Sequence, residues 1–443
     1  MRNLFGFKLE QFSHLSGEGF WIVSGYIFVV IGSLVGVRII TELISPKEYG
    51  ELALALTIAT LINQLIFGPL NNGVNRFYSP AIEHGEGANY AQSVYKLLIQ
   101  VAFGLITLSA FFLFILFLKN KFQWGVIYFI SIIYSIFSGY NAVLSGIQNA
   151  ARQRSVVALH RGMDAFLRVF ASVLLVVLVG ASAETVLLGY AVSILFVLVS
   201  QRFFLKRAIS QRPVLGTESS QWRSRILDYS WPFSAFGLFT WMQISSDRWA
   251  LQHYAGVDEV GMYVVLFQLG YYPVSVIAGI AVQLLAPIFF QHAGDGSDNS
   301  RISRVTSMGL RLTKVSLLLT FIAFLVAFLA HRYIFAVFVA QEYSASSFLL
   351  PWMILAGGLF ASGETVGLNF MSQMKTRAMT LPKLVTAVFG VFLNIVGARL
   401  FGVPGVVGAA VLFSATYLAW MLLLSTTQGS DHRVATLATS LGD

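Results

Sequence analysis

The chain contains no cysteine, which removes disulfides, cysteine-ligated zinc and thiol nucleophiles from consideration. Charge is scarce too: Asp, Glu, Lys and Arg make up 11% of the 443 residues, against roughly 25% in soluble domains. The histidines (His14, His84, His160, His253, His292, His331 and His432) fall at loops or span ends without an H-E-x-x-H spacing, so no metal site is expected. The "GEG" triplets at 17–19 and 85–87 neither follow a strand nor lead to G-K-[ST], which excludes a phosphate loop. No polar stretch between apolar runs is long enough for a soluble domain; the longest are about 205–228 and 291–311.

What is present is apolar sequence. With 56% hydrophobic residues and a mean hydropathy of +0.73, the composition is that of a polytopic membrane protein. The opening "MRNLFGFKLEQFSHLSGEGF" mixes charges and glycines and lacks a cleavage site, so the first apolar segment is expected to remain as a span. A crossing helix needs about 20 apolar residues. That window gives twelve spans, near 20–44, 51–71, 97–118, 123–144, 164–182, 184–204, 229–251, 260–286, 312–330, 348–370, 384–401 and 405–425. The expected fold is an all-α bundle of about 12 transmembrane helices.

Lys and Arg concentrate on the cytoplasmic side of membrane proteins. With the N-terminus inside, most of the 29 basic residues fall on that side, including Arg152, Arg154, Arg161, Arg168, Lys375, Arg377 and Lys383. Lys47, Lys119, Lys121, Arg332 and Arg399 occupy outer turns, and Arg38 and Arg248 remain inside spans. Both termini are therefore expected in the cytoplasm. The net charge of +9 reflects this topology and calls for no nucleic acid.

The second half resembles the first. "RIITELISPKEYG" (38–50) and "RWALQHYAGVDEVG" (248–261) share an Arg, an apolar helix end, a short turn, an acid and a Gly. The stretch 174–193 resembles 396–414 in the same way. The expected organisation is an N-terminal six-helix lobe over 1–210, a basic cytoplasmic linker over 211–228, a C-terminal six-helix lobe over 229–430 and a cytoplasmic tail over 431–443. An even number of spans per half makes the repeat parallel, the two lobes pseudo-symmetric around a central cavity. In "SPKEYG", Ser45 is expected to cap the following helix, with Pro46 in its first turn and Glu48 completing a capping box.

Charged residues inside spans usually face a cavity or a partner. Arg38 has Glu42 one helical turn later, and lies about 140° around the helix from Gly25, which with Gly32 and Gly36 forms a close-packing stripe. Arg248 shares a face with Ser245 and Gln252, and Asp247 shares one with Gln243. In "FGPLNNGVNRFYSP", Gly68 and Pro69 are expected to kink the second span, bringing Asn71, Asn72, Asn75 and Arg76 to its inner mouth. Glu364 lies mid-span with no Lys or Arg within four residues, as a hydrogen-bonded neutral acid or a coupling residue would. Glu42, Asp247 and Glu364 are thus the expected in-span acids.

The strings "LISPKEYGELALALTIATLINQLIFGPLNNGVNRF", "IFAVFVAQEYSASSFLLPWMILAGGLF" and "LFGVPGVVGAAVLFSAT", in this order, make the chain resemble the polysaccharide or O-antigen-unit flippases (Wzx type) of the multidrug/oligosaccharidyl-lipid/polysaccharide exporter superfamily. The resemblance implies a two-lobed bundle that moves undecaprenyl-pyrophosphate-linked oligosaccharide across the cytoplasmic membrane by alternating access. It further implies no cofactor, a proton or sodium gradient as driving force, and polymerase or glycosyltransferases of the same pathway as partners beside membrane lipids. On this chain the cavity cations would be Arg38 and Arg248, with Arg76 near the inner gate, and Asp247, Glu364 and Glu42 the candidate ion-coupling residues. Asn71, Asn72, Tyr271, Tyr272 and Trp241 would meet sugars. Competing readings are a multidrug exporter of the same superfamily, disfavoured by arginines without acidic partners, and a membrane glycan polymerase or glycosyltransferase, disfavoured by the short loops.

Overall fold

The computed structural model describes residues 10–118, 122–208, 219–294, 298–373, 375 and 377–440. The first half consists of α1 (Glu10–Leu43), α2 (Pro46–Ile62), a π-turn (Asn63–Phe67), α3 (Gly68–Glu83), α4 (Gly87–Leu118), α5 (Phe122–Ala150), α6 (Arg154–Val179) and α7 (Ala183–Ala208). The second half consists of α8 (Ser219–Tyr254), α9 (Val257–Leu266), a π-turn (Phe267–Tyr271), α10 (Tyr272–Ala293), α11 (Asn299–Phe338), a 3-10 turn (Gln341–Leu349), α12 (Leu350–Ser372) and α13 (Arg377–Ser440). No strand occurs among the described residues.

Among the described residues ten helical stretches are long and apolar enough to cross a membrane, and the protein is a multi-pass membrane protein. The apolar stretch Ala378–Ser425 is divided by Gly402, whose φ of 62° only glycine adopts freely. Gly180, with φ 131°, makes the corresponding break between α6 and α7, so the repeat read from 174–193 and 396–414 is also a repeat of turns. Helix α8 is too polar to be among the ten.

Several helices begin well before the apolar run from which they were read: α4 at Gly87, α6 at Arg154 and α11 at Asn299. Polar turns continue a helix wherever its first N–H groups find acceptors. Asp298 supplies one for α11, accepting from the backbone N–H of Ser300 at 2.7 Å and of Arg301 at 3.4 Å. Hydrogen bonds from Ser300, side chain first, hold its carboxyl below the usual carboxylate range.

Residues 24–245 form one compact unit, and residues 1–23 with 246–443 the other. The division falls inside α1 and α8, not in the expected linker 211–228, of which 211–218 lie outside the described residues. Of the expected tail, 441–443 also lie outside them.

In the first unit the glycine stripe does what its spacing predicts. A Cβ on Gly25 would stand 3.1 Å from Ala158, one on Gly32 2.7 Å from Ala165, and one on Gly36 3.2 Å from Val169, so α1 lies directly on α6. Ser45 caps α2, accepting from the Glu48 N–H at 3.4 Å. Glu48 does not complete the capping box. Its Oε2 accepts instead from the Ala183 N–H at 2.6 Å, because the first N–H groups of α7 have no acceptor within their own helix.

The kink expected at Gly68–Pro69 is a π-turn, in which the Gly68 N–H bonds Asn63 O five residues back. The second unit has the same device: Tyr272 N–H bonds Phe267 O, just before Pro273. Proline lacks an N–H and its ring collides with the carbonyl four residues earlier; one extra residue in the turn relieves both faults.

Candidate functional site

In the second unit, Asp247 and Arg248 stand in the last two turns of α8. Asp247 is buried, with 6% of its surface exposed. Its Oδ1 accepts from the Arg248 backbone N–H at 2.7 Å and from Arg248 Nη1 at 3.2 Å, and its Oδ2 accepts from the Tyr263 hydroxyl at 2.6 Å. The Arg248 guanidinium lies 4.9 Å from the centroid of Phe267, on the π-turn. Arg248 is thus held on one side by a carboxylate and on another by a ring.

A column of rings leads onward from Phe267. It stacks on Tyr271 at 5.0 Å, Tyr271 meets Phe360 at 6.2 Å, and Phe360 stacks on Tyr417 at 5.2 Å. Tyr417 donates to Glu364 Oε1 at 2.5 Å, and Lys383 Nζ lies 3.0 Å from the same oxygen and 3.3 Å from Oε2. The column joins two ion pairs, Asp247–Arg248 at one end and Glu364–Lys383 at the other.

Helix α12, which carries Glu364, is fixed to α11 by a seam of small polar residues. Gln373 donates to Thr306 at 3.2 Å, Thr313 and Thr365 share a bond of 2.9 Å, and Ser316 and Ser362 another of 2.9 Å. Between the first two rungs Asn369 lies against Gly309, and beyond the last Thr320 lies against Gly358, each so close that a Cβ on the glycine would overlap it. In a bilayer, where water does not compete, such interhelical bonds and glycine contacts hold helices together.

The first unit has its own half-buried pair. Asp164 and Arg168, one turn apart on α6, meet at 2.5 Å, and the Arg168 guanidinium lies 5.1 Å from the Tyr190 ring on α7. Tyr134 on α5 meets Tyr190 at 6.2 Å. Arg168 was expected in a cytoplasmic segment; α6 begins at Arg154 and carries it fourteen residues inward, roughly 21 Å along the axis. Asp164 was missed altogether. The signal was present in "DAFLR", an acid and a base four apart in an otherwise apolar run, hidden by the basic residues before it.

The remaining expected residues are dispersed. Arg38 pairs with Glu42 at 2.7 Å, both side chains well exposed, as the spacing of four suggests. Asn71 and Asn75 bond each other at 3.3 Å and press on Gly146 of α5, while Asn72 and Arg76 are exposed. Trp241 spends its indole N–H on Thr57 O at 2.8 Å. Tyr271 belongs to the ring column, and Tyr272 is half-buried beside it in sequence.

The expectation of arginines without acidic partners is corrected: Arg38 has Glu42 and Arg248 has Asp247. Glu364, which has no base nearby in sequence, has Lys383 from the next helix. Among the described residues no group of three or more His, Asp or Glu side chains is arranged to hold a metal ion.

Solved structures share this fold at low sequence identity. An inward-facing multidrug resistance MATE family transporter of the MOP superfamily superposes with a TM-score of 0.67 at 13% identity, over 92% of this chain and 95% of that one. The lipid II flippase MurJ in an inward closed conformation gives 0.69 at 12%, over 92% and 87%. A MOP superfamily transporter from Pyrococcus furiosus, described as having a binding pocket of reversed polarity, gives 0.58 at 12%, over 92% and 96%. No curated protein matches the chain. The polysaccharide biosynthesis protein family matches residues 15–292, well over half of the sequence, and with the fold of the MOP transporters around it the chain belongs to that family.

Proposed function

We propose that the protein is a flippase that carries a polyprenyl-pyrophosphate-linked oligosaccharide, the undecaprenyl form in a bacterium, from the cytoplasmic to the outer leaflet of the inner membrane by alternating access. The observation that carries this reading is the family match of a chain built almost wholly of apolar helices that keep ion pairs within them. In this reading the crossings number twelve, α8 and the two parts of α13 included, and both termini are cytoplasmic. The expected lobes, 1–210 and 229–430, then move against each other.

A pyrophosphate needs positive charge and donors, which Arg supplies bidentately. Arg76 and Asn72 are exposed, and in this reading they and Asn71 meet the headgroup at an inner gate. Arg38 and Arg248 reach a phosphate by exchanging their carboxylates for it. The carboxylates released, Glu42 or Asp247, or the separate in-span acid Glu364, then take up the coupling ion, a proton or sodium. No cofactor is required, and the partners are the lipid-linked glycan, the surrounding lipids and the enzymes that assemble or polymerise the glycan.

The test is leaflet-specific. Reconstituted protein should expose a polyprenyl-pyrophosphate oligosaccharide to an external probe, and cells lacking it should accumulate that lipid on the inner leaflet. Drug resistance on overexpression without any glycan-lipid accumulation on deletion would overturn the proposal. That outcome would favour a multidrug exporter, a reading the similarity to the MATE fold and the paired acids of the spans keep open.

A further inference from the structure

We propose that Lys383 is a further phosphate-binding cation of the second unit, more accessible than Arg248, and that Glu364 occupies it in the absence of substrate and is displaced when a pyrophosphate or similar phosphate anion binds. The proposal rests on the flippase reading for its substrate class but on separate residues. Lys383 is not among the cations the sequence singled out, because its place near the start of α13 made it look like an orientation charge.

Accessibility is the first reason. Within this unit Arg248 is 13% exposed at its side chain and Asp247 8%, enclosed by Phe267 and Tyr263. Lys383 and Glu364 are 46% and 32% exposed, yet both lie in apolar stretches that cross the membrane. Charges there do not face lipid without large cost, so the pair opens on water or on a ligand.

Exchangeability is the second reason. Glu364 sits on α12, which the polar seam fixes to α11, whereas Lys383 sits on α13, one residue after Pro382. Proline in a helix removes one backbone bond and loosens the turn before it. Lys383 also ends a flexible chain of four carbons, so its ammonium can leave the carboxylate without moving α12.

Charge balance is the third reason. Glu364 keeps a second partner, the Tyr417 hydroxyl, when the ammonium turns to a phosphate. The carboxylate is therefore not left bare, which would cost several kcal/mol in a buried setting. The pair is a place-holder whose two members each have somewhere to go.

The experiment uses the full chain in lipid nanodiscs, titrated with inorganic pyrophosphate and, separately, with a polyprenyl pyrophosphate in vesicles. Lys383→Ala should weaken binding about tenfold or more, Lys383→Arg should stay within about threefold, and Glu364→Gln, which removes the competing charge, should tighten it about threefold to tenfold. Tighter binding of the polyprenyl form identifies a lipid headgroup as the ligand, and equal binding identifies the free anion. Unchanged binding in Lys383→Ala, or weaker binding in Glu364→Gln with an unaltered melting temperature, overturns the proposal. If Lys383→Ala does not fold, Lys383→Arg and Glu364→Gln decide it by the same criteria. Lys383-dependent binding in a protein that moves no lipid-linked glycan keeps this site and removes the flippase reading. Glycan transport that Lys383→Ala leaves intact does the reverse.

Discussion

The two halves place the charges of their apolar helices differently. In the first unit Asp164 and Arg168 belong to one helix, four residues apart, with Tyr190 over the guanidinium. In the second, Glu364 and Lys383 belong to different helices nineteen residues apart in sequence, and only Asp247 and Arg248 are local. A pair within one helix moves as a unit when that helix moves. A pair between helices is made or broken by the same motion, so of the two halves the second is built to exchange partners and the first to keep them.

The largest expected effect comes from breaking the local pair of the second half. Asp247→Ala removes the carboxylate that the Arg248 guanidinium and the Tyr263 hydroxyl share in a buried site. Removing one member of a buried ion pair costs about 3–5 kcal/mol, and a thermal melt in detergent should show it as a large drop in melting temperature. A melt within a degree of the unsubstituted protein would mean that Asp247 does not organise this end of α8.

The π-turns sharpen the comparison next, since both halves have one and each rests on a helix glycine. A Cβ on Gly237 would come within 1.9 Å of Gln64 O, whereas one on Gly357 would come to 3.0 Å from Tyr271 backbone atoms. Overpacking of this kind costs about 1–3 kcal/mol. Gly237→Ala should lie at the upper end of that range and Gly357→Ala at the lower, measured as the difference in melting temperature. Equal losses would show that the first π-turn yields as easily as the second.

A smaller contrast separates the two kinds of pair directly. Asp164→Asn keeps the shape of the side chain but weakens its bond to Arg168 and should cost about 1–2 kcal/mol of stability. Glu364→Gln keeps a partner in Tyr417 and has an exposed Lys383, so its cost should stay under about 1 kcal/mol while phosphate binding changes. If Glu364→Gln proves the more destabilising, the pair is structural and the division of labour between the halves falls.

Sequence was informative where the cause was local. The stripe of Gly25, Gly32 and Gly36, the cap at Ser45, the kink at Pro69 and the Arg38–Glu42 pair each depend on spacings within a few residues, and each stands where the spacing puts it. Glu48 shows the limit: its partner, the Ala183 N–H, is 135 residues away, and a nearer acceptor role was the natural reading. Lys383 was obscured in the same way, since nothing in the chain around Glu364 announces a base from the following helix. Arg168 was obscured for a different reason. The apolar window began α6 ten residues late, so a charge deep in the helix was counted with the loop before it.

The smallest stability effect carries the sharpest functional contrast. Arg38 and Glu42 form an exposed pair at spacing four, and such pairs contribute about 0.3–0.5 kcal/mol, so Arg38→Ala should leave the melting temperature almost unchanged. Its side chain is 40% exposed, against 13% for Arg248 between Asp247 and Phe267. If Arg38 binds the phosphates, transport of the lipid-linked glycan should fall sharply in Arg38→Ala and recover in part in Arg38→Lys, at equal protein levels. Full transport by Arg38→Ala would leave Arg38 as a surface pair only. The first half would then contribute its fixed Asp164–Arg168 pair and its inner-mouth residues Asn72 and Arg76, and the exchangeable charge would lie wholly in the second.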